Sequence, residues 1–150
     1  MLPKPTSERS AAHYTDGHWR TETIYDLAAA RAEAMPDAWA VRDRMRRLTY
    51  RELIADADAL AADLAEHGLQ PGDRVGVWLP SRVEGAITVL ACSRNGYVCS
   101  PGLQRDHTVE QVIDLLRRMS ASALIMQKNY GADADRRDIA PGLEALSHLR

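Results

Sequence analysis

The side chains able to bind a metal, attack a carbonyl or move a proton are five histidines, two cysteines, a serine after an apolar run and several aspartates. His13, His18, His67, His107 and His148 are scattered, and their spacing matches no zinc-ligand set. His67 falls in the last turn of an expected helix, where a cation complements the helix dipole without any ligand. Cys92 and Cys99 fit neither a redox pair nor a zinc half-site, and their apolar surroundings predict buried thiols. Asp133 and Asp135 resemble the opening of a calcium loop, but the required glycine and closing glutamate are missing, which leaves a solvated loop. Asp56, Asp58 and Asp63 belong on the wet face of a helix. A phosphate could dock where Pro80-Ser81-Arg82 opens a helix, because free N–H groups point outward there. That turn has no glycine, so Ser81 reads as a helix cap. Gly-rich phosphate loops and the Gly-x-Ser-x-Gly elbow of hydrolases are absent. No catalytic, cofactor-binding or metal-binding residue is therefore assigned.

What remains legible is the scaffold. Residues 1–20 read as a flexible, polar, proline-bearing tail, with Trp19 near its end. Thr23 with Asp26 predicts a capped helix carrying Ile24, Leu27, Ala28, Arg31 and Ala34, stopped by Pro36-Asp37. Trp39–Val41 and Leu48–Tyr50 flank a charged turn and predict an antiparallel hairpin. Thr49 with Glu52 opens a second helix, with a stripe of Leu53, Ile54, Ala57, Leu60, Ala61 and Leu64 that ends at Gly68. After the turn Gln70-Pro71-Gly72-Asp73, the continuous apolar run Val75–Leu79 predicts a strand covered on both faces. Ser81 with Glu84 is then expected to cap a helix over Val83–Ala91, closed by Asn95-Gly96. A strand at Tyr97–Cys99, a helix capped by Thr108 with Gln111, and a strand at Ala123–Met126 follow. Leu143, Leu146 and Leu149 are expected to start a last helix. Alternating strands and helices predict an α/β fold with a mostly parallel sheet and helical crossovers, plus the N-terminal β-hairpin.

Composition limits the function classes. At 45% apolar and 27% charged residues, a chain of 150 residues can form one soluble globular domain. A net charge of −2 supplies no field for a nucleic-acid backbone. The densest basic run, Arg42, Arg44, Arg46 and Arg47, is interrupted by Asp43 and reads as a solvated hairpin. With no apolar leader and no run long enough to span a bilayer, the expected location is cytoplasmic.

Three stretches, in order and spacing, resemble the N-terminal part of the adenylate-forming (AMP-dependent) acid–CoA ligases of the acyl-CoA synthetase superfamily. They are Leu48-Thr49-Tyr50-Arg51-Glu52-Leu53, then Gly68 through Pro80 with its Pro71-Gly72-Asp73 turn, and Leu90 through Pro101. Tyr97, Cys99 and Ser100 depart from the residues commonest in that family. The resemblance covers residues 19–150 and implies that 21–150 form an incomplete N-terminal subdomain of the acyl-CoA synthetase-like fold.

The resemblance also implies a chemistry. A fatty or aromatic carboxylic acid is activated by ATP to an acyl-adenylate, and a thiol then displaces AMP. ATP, Mg and CoA are implied for the complete enzyme, and no cofactor for this chain alone. The family's phosphate loop, its aromatic-Gly-x-Thr-Glu segment, its ribose-binding aspartate and its mobile lysine all lie downstream of the matched region. The expectation is a fragment of such a ligase, inactive by itself, whose partner is the missing remainder. The alternatives are a stand-alone interaction or dimerisation module, one half of a split ligase, and a small nucleotide-binding α/β domain, the last disfavoured by the missing glycine loop.

Overall fold

In the computed structural model, residues 6–150 are described. The first five residues of the expected tail lie outside them. Ser7–Thr15 forms helix α1, capped by the Thr6 side chain, and none of its residues is buried. A helix thus stands where the sequence reads as tail; the stretch Glu8–Tyr14 has no proline or glycine to interrupt it. His13 lies 4.9 Å from Trp19, ring to ring.

Two of the expected capping boxes open α2 (Ile24–Ala34) and α3 (Tyr50–Glu66), with Thr23–Asp26 and Thr49–Glu52 each bonding reciprocally. Between these helices, β1 (Trp39–Arg42) and β2 (Arg47–Thr49) pair antiparallel, with an irregularity at Ala40. Leu53, Ala57, Ala61 and Leu64, spaced along one stripe of α3, are buried. Gly68 and Gly96 both adopt the left-handed conformation expected past a helix end, at φ 86° and 72°.

The second sheet has three parallel strands. In chain order they are β3 (Arg74–Trp78), β4 (Val98–Ser100) and β5 (Ala123–Met126); in space β3 is central, in the order β4-β3-β5. Helices α4 (Val83–Asn95) and α5 (Val109–Arg118) make the crossovers, and α5 has the third capping box, Thr108 with Gln111. Because side chains alternate along a strand, the sheet separates two cores. Val75 and Ala123 pack with Leu64, Leu69, Cys92 and Tyr97 on one side. Trp78 packs with Val109, Val112, Ile113 and Leu116 on the other. A third cluster joins Leu48, Leu53 and Ala57 to Val83, Ile87 and Leu90, seating the hairpin on α3 and α4.

Two expectations are corrected. The last helix, α6 (Ala140–Glu144), is short and starts earlier than predicted, with proline in its first turn. Leu146 and Leu149 follow it and pack into the α5-side core from non-helical backbone. Ser81 does not cap α4: the cap position is Arg82, which makes no side-chain capping bond. Among the described residues, no helix is long and apolar enough to cross a membrane.

Candidate functional site at the carboxyl ends of the parallel strands

Open α/β sheets bind ligands outside the carboxyl ends of their strands. Here β3 and β5 lead into Leu79-Pro80-Ser81-Arg82 and Gln127-Lys128-Asn129. Trp78, at the end of β3, is fully buried, and its indole N–H donates to the Gln104 carbonyl at 3.0 Å. Tyr130 meets its ring edge-on at 6.2 Å.

The turn between β1 and β2 overhangs this end of the sheet, and Asp43 organises it. Its Oδ1 accepts the backbone N–H groups of Met45 and Arg46 at 2.6 and 2.7 Å, an Asx-type closure of the turn. Its Oδ2 reaches α4, accepting the N–H of Val83 and the Nε–H of Arg82, both at 3.0 Å. The carboxylate side chain is only 5% exposed. Four donors favour its charged form, so its pKa lies far below the usual carboxylate range; the Val83 N–H contributes most, then those of Arg46 and Met45. The surrounding arginines are arranged by the same packing. Arg46 bridges Asp56 at 2.9 Å and Glu84 at 3.1 Å, while the Arg47 guanidinium lies 4.7 Å over the Trp39 ring.

The second crossover helix repeats the device. The N–H of Val109, first residue of α5, donates to Asp133 Oδ1 at 2.8 Å, in addition to the Thr108 capping box. The first N–H of each crossover helix thus already has a carboxylate from elsewhere in the chain. A phosphate approaching either helix start meets that negative charge at the first N–H.

Several other titratable side chains serve local structure. Asp133 is a cap, Asp56 an ion-pair partner, and Asp58 accepts the Tyr25 hydroxyl at 2.6 Å beside Arg94 Nε at 2.7 Å. His107 Nδ1 accepts the Gln104 N–H at 2.9 Å, and His67 Nδ1 lies 2.8 Å from the Asp63 carbonyl. Cys92 is buried and Cys99 half-buried in one cluster; a hydrogen bond with Cys99, together with burial, pushes the Cys92 thiol up. No group of three or more His, Cys, Asp or Glu among the described residues could hold a metal ion. Asp43 and Arg82, the centre of this arrangement, were not legible in the sequence, because their partners are distant along the chain.

The sequence profile of the AMP-binding enzyme family matches residues 28–149. This chain belongs to that family. It is 40% identical over 93 residues to a salicylyl-CoA synthase / salicylate adenylyltransferase of a Streptomyces species, a match covering 61% of this chain and 17% of that protein. It is 32% identical over 127 residues to 2-hydroxy-7-methoxy-5-methyl-1-naphthoate–CoA ligase of Streptomyces carzinostaticus, covering 84% of this chain and 23% of the relative. Among solved structures, apo MbtA of Mycobacterium smegmatis superposes with a TM-score of 0.76 at 32% identity, covering 99% of this chain and 27% of that one. The chain therefore spans about a quarter or less of the length of these family members. Its fold is that of the N-terminal subdomain of acyl-CoA synthetase-like enzymes.

Proposed function

We propose that this chain is the N-terminal part of an AMP-forming acid–CoA ligase acting on an aromatic carboxylic acid, and that it supplies a supporting wall and not the adenylation chemistry. The observation that carries the reading is the family match over residues 28–149 together with superposition on MbtA over 99% of the chain. Two relatives whose names contain hydroxylated aromatic acids, salicylate and a hydroxynaphthoate, support the aromatic class over the fatty one. Partnership with the remainder of such a ligase, and a cytoplasmic location, belong to the same proposal.

Adenylation needs donors around a polyphosphate and a cation at the developing charge. The turns after β3 and β5 contain no glycine-rich loop, and the starts of α4 and α5 are already engaged by Asp43 and Asp133. The residues present do not fit an ATP site, so no step of the reaction is assigned to them. The test is ATP–pyrophosphate exchange by the purified chain with salicylate and other aryl acids. The expected result is no exchange above background. Exchange at a rate proportional to the concentration of this chain would overturn the reading.

A second reading is an interaction module derived from the same subdomain. It is favoured by the apolar side chains left open to solvent, among them Ile24 at 62%, Trp39 at 61% and Val98 at 48% exposure. Sedimentation distinguishes the two: a concentration-dependent dimer supports the module, and a monomer at high concentration sinks it.

A further inference from the structure

We propose that the groove between the hairpin turn and the carboxyl ends of β3 and β5 binds the phosphoryl group of a small phosphate ester, held by Arg42, Arg44, Ser81 and Gln127. The groove is open, with a volume of about 1050 Å³, and its lining comes from three separate segments: the turn, the residues after β3 and Gln127 after β5. Polar groups from separate segments thus border one groove, an arrangement able to hold a small polar ligand.

Charge accounting picks out the ligand class. Five arginines line the groove, against the single carboxylate of Asp43. Three of the five have their positions fixed: Arg46 by Asp56 and Glu84, Arg82 by Asp43 and Glu84, and Arg47 by stacking on the Trp39 ring, which orients it but leaves its charge. Both oxygens of Asp43 are spent on the turn and on α4. Arg42 and Arg44 are exposed, and neither forms an ion pair within 4.0 Å among the described residues. The two free guanidinium groups, beside the un-neutralised charge of Arg47, suit the roughly −1.5 to −2 charge of a phosphate monoester near neutral pH.

Two neutral donors that line the groove are also free. Because Asp43 takes the Val83 N–H, Ser81 is released from capping, and its hydroxyl has no hydrogen-bond partner among the described residues. The Gln127 side chain is likewise exposed without one, although its backbone N–H donates to Trp78. Two guanidinium forks, a hydroxyl and an amide make up a side-chain phosphate site that needs no helix N-terminus. The inference is independent of the ligase reading.

The test is amide-shift titration of the whole chain, at constant ionic strength, with ribose 5-phosphate, inorganic phosphate and an oligoglutamate peptide. Saturable shifts at Ser81, Gln127 and the hairpin are expected with ribose 5-phosphate, which should bind more tightly than inorganic phosphate. The Arg42→Gln/Arg44→Gln double variant, altered only at exposed unpaired side chains, should bind at least about tenfold more weakly, the loss expected from two charge-assisted donors. Its thermal melt should match that of the parent, which confirms that it folds. Linear, unsaturating shifts or undiminished binding by the double variant would overturn the proposal. So would binding of inorganic phosphate as tight as that of the ester, or tighter binding of the acidic peptide.

Discussion

Asp43 and Val83 stand 40 positions apart, yet one carboxylate oxygen of the first accepts the first backbone N–H of α4 from the second at 3.0 Å. The bond locks the hairpin onto the crossover helix. It does locally what a neighbouring serine usually does, with a full negative charge at the positive end of the helix. Replacing Asp43 with alanine removes the closure of the turn and the cap together. The melting temperature should fall by several degrees. Arg44→Ala, on the same turn but without partners, should leave it unchanged. Equal melting of the two variants would show that the Asp43 bonds contribute nothing net.

Acid should destabilise the fold through a group of carboxylates bonded to backbone N–H groups. Asp43, Asp26, Glu52 and Asp73 all have pKa values lowered chiefly by such bonds, from Val83, Thr23, Thr49 and Gln70 respectively. A lowered folded-state pKa means that the unfolded chain binds protons first as pH drops. The stabilisation is therefore complete above the unfolded carboxylate pKa of about 4 and is lost as pH falls through the folded values. Urea midpoints should be flat between about pH 7 and pH 5 and decline below about pH 4. Asp43→Asn should reduce that slope.

The capping boxes give a local comparison. Thr49 accepts the Glu52 N–H through Oγ1 while Glu52 accepts the Thr49 N–H at 2.8 Å. Thr49→Ala should cost about 1 kcal/mol by urea unfolding, as for other lost N-caps. A loss indistinguishable from zero would mean that tertiary packing alone holds the start of α3.

Gly131 lies against the buried Trp78, at φ 147°. A β-carbon there would overlap the indole ring. Gly131→Ala should therefore destabilise the chain by about 1–3 kcal/mol, the usual range for overpacking. Wild-type stability in the alanine variant would mean that the ring can move aside.

Tyr25 ties α2 to the α3–α4 pair: its hydroxyl donates to Asp58, and Arg94 lies 5.7 Å over its ring. The bond to Asp58, with burial second, raises the Tyr25 pKa. Ultraviolet titration should show one tyrosine ionising above the ordinary value of about 10. Tyr25→Phe should remove that late step and cost about 0.5–1.5 kcal/mol. Persistence of the late step would assign it to another tyrosine.

The elements that could be read directly are those whose determinants lie within a few residues. Thr23–Asp26, Thr49–Glu52 and Thr108–Gln111 sit one helical turn apart, so each box follows from the residues themselves. Val75–Trp78 and Ala123–Met126 declared themselves as continuous apolar runs because parallel strands are covered on both faces. The order of the three motifs was enough for the family. The helix at Ser7–Thr15 was missed because, with no buried residue, it has no apolar stripe to announce it.

Tertiary structure alone decided which side chains meet at the end of the sheet. Ser81 and Glu84 have the spacing of a cap, yet Asp43 holds that position, and Asp133 joins Thr108 at the start of α5. Those bonds cross 40 and 24 residues of chain and exist only once the hairpin and the loop after β5 have been placed. Sequence spacing records interactions whose partners are held close by the covalent chain. A carboxylate brought in by packing leaves no such record, because its position depends on every element between it and its donor.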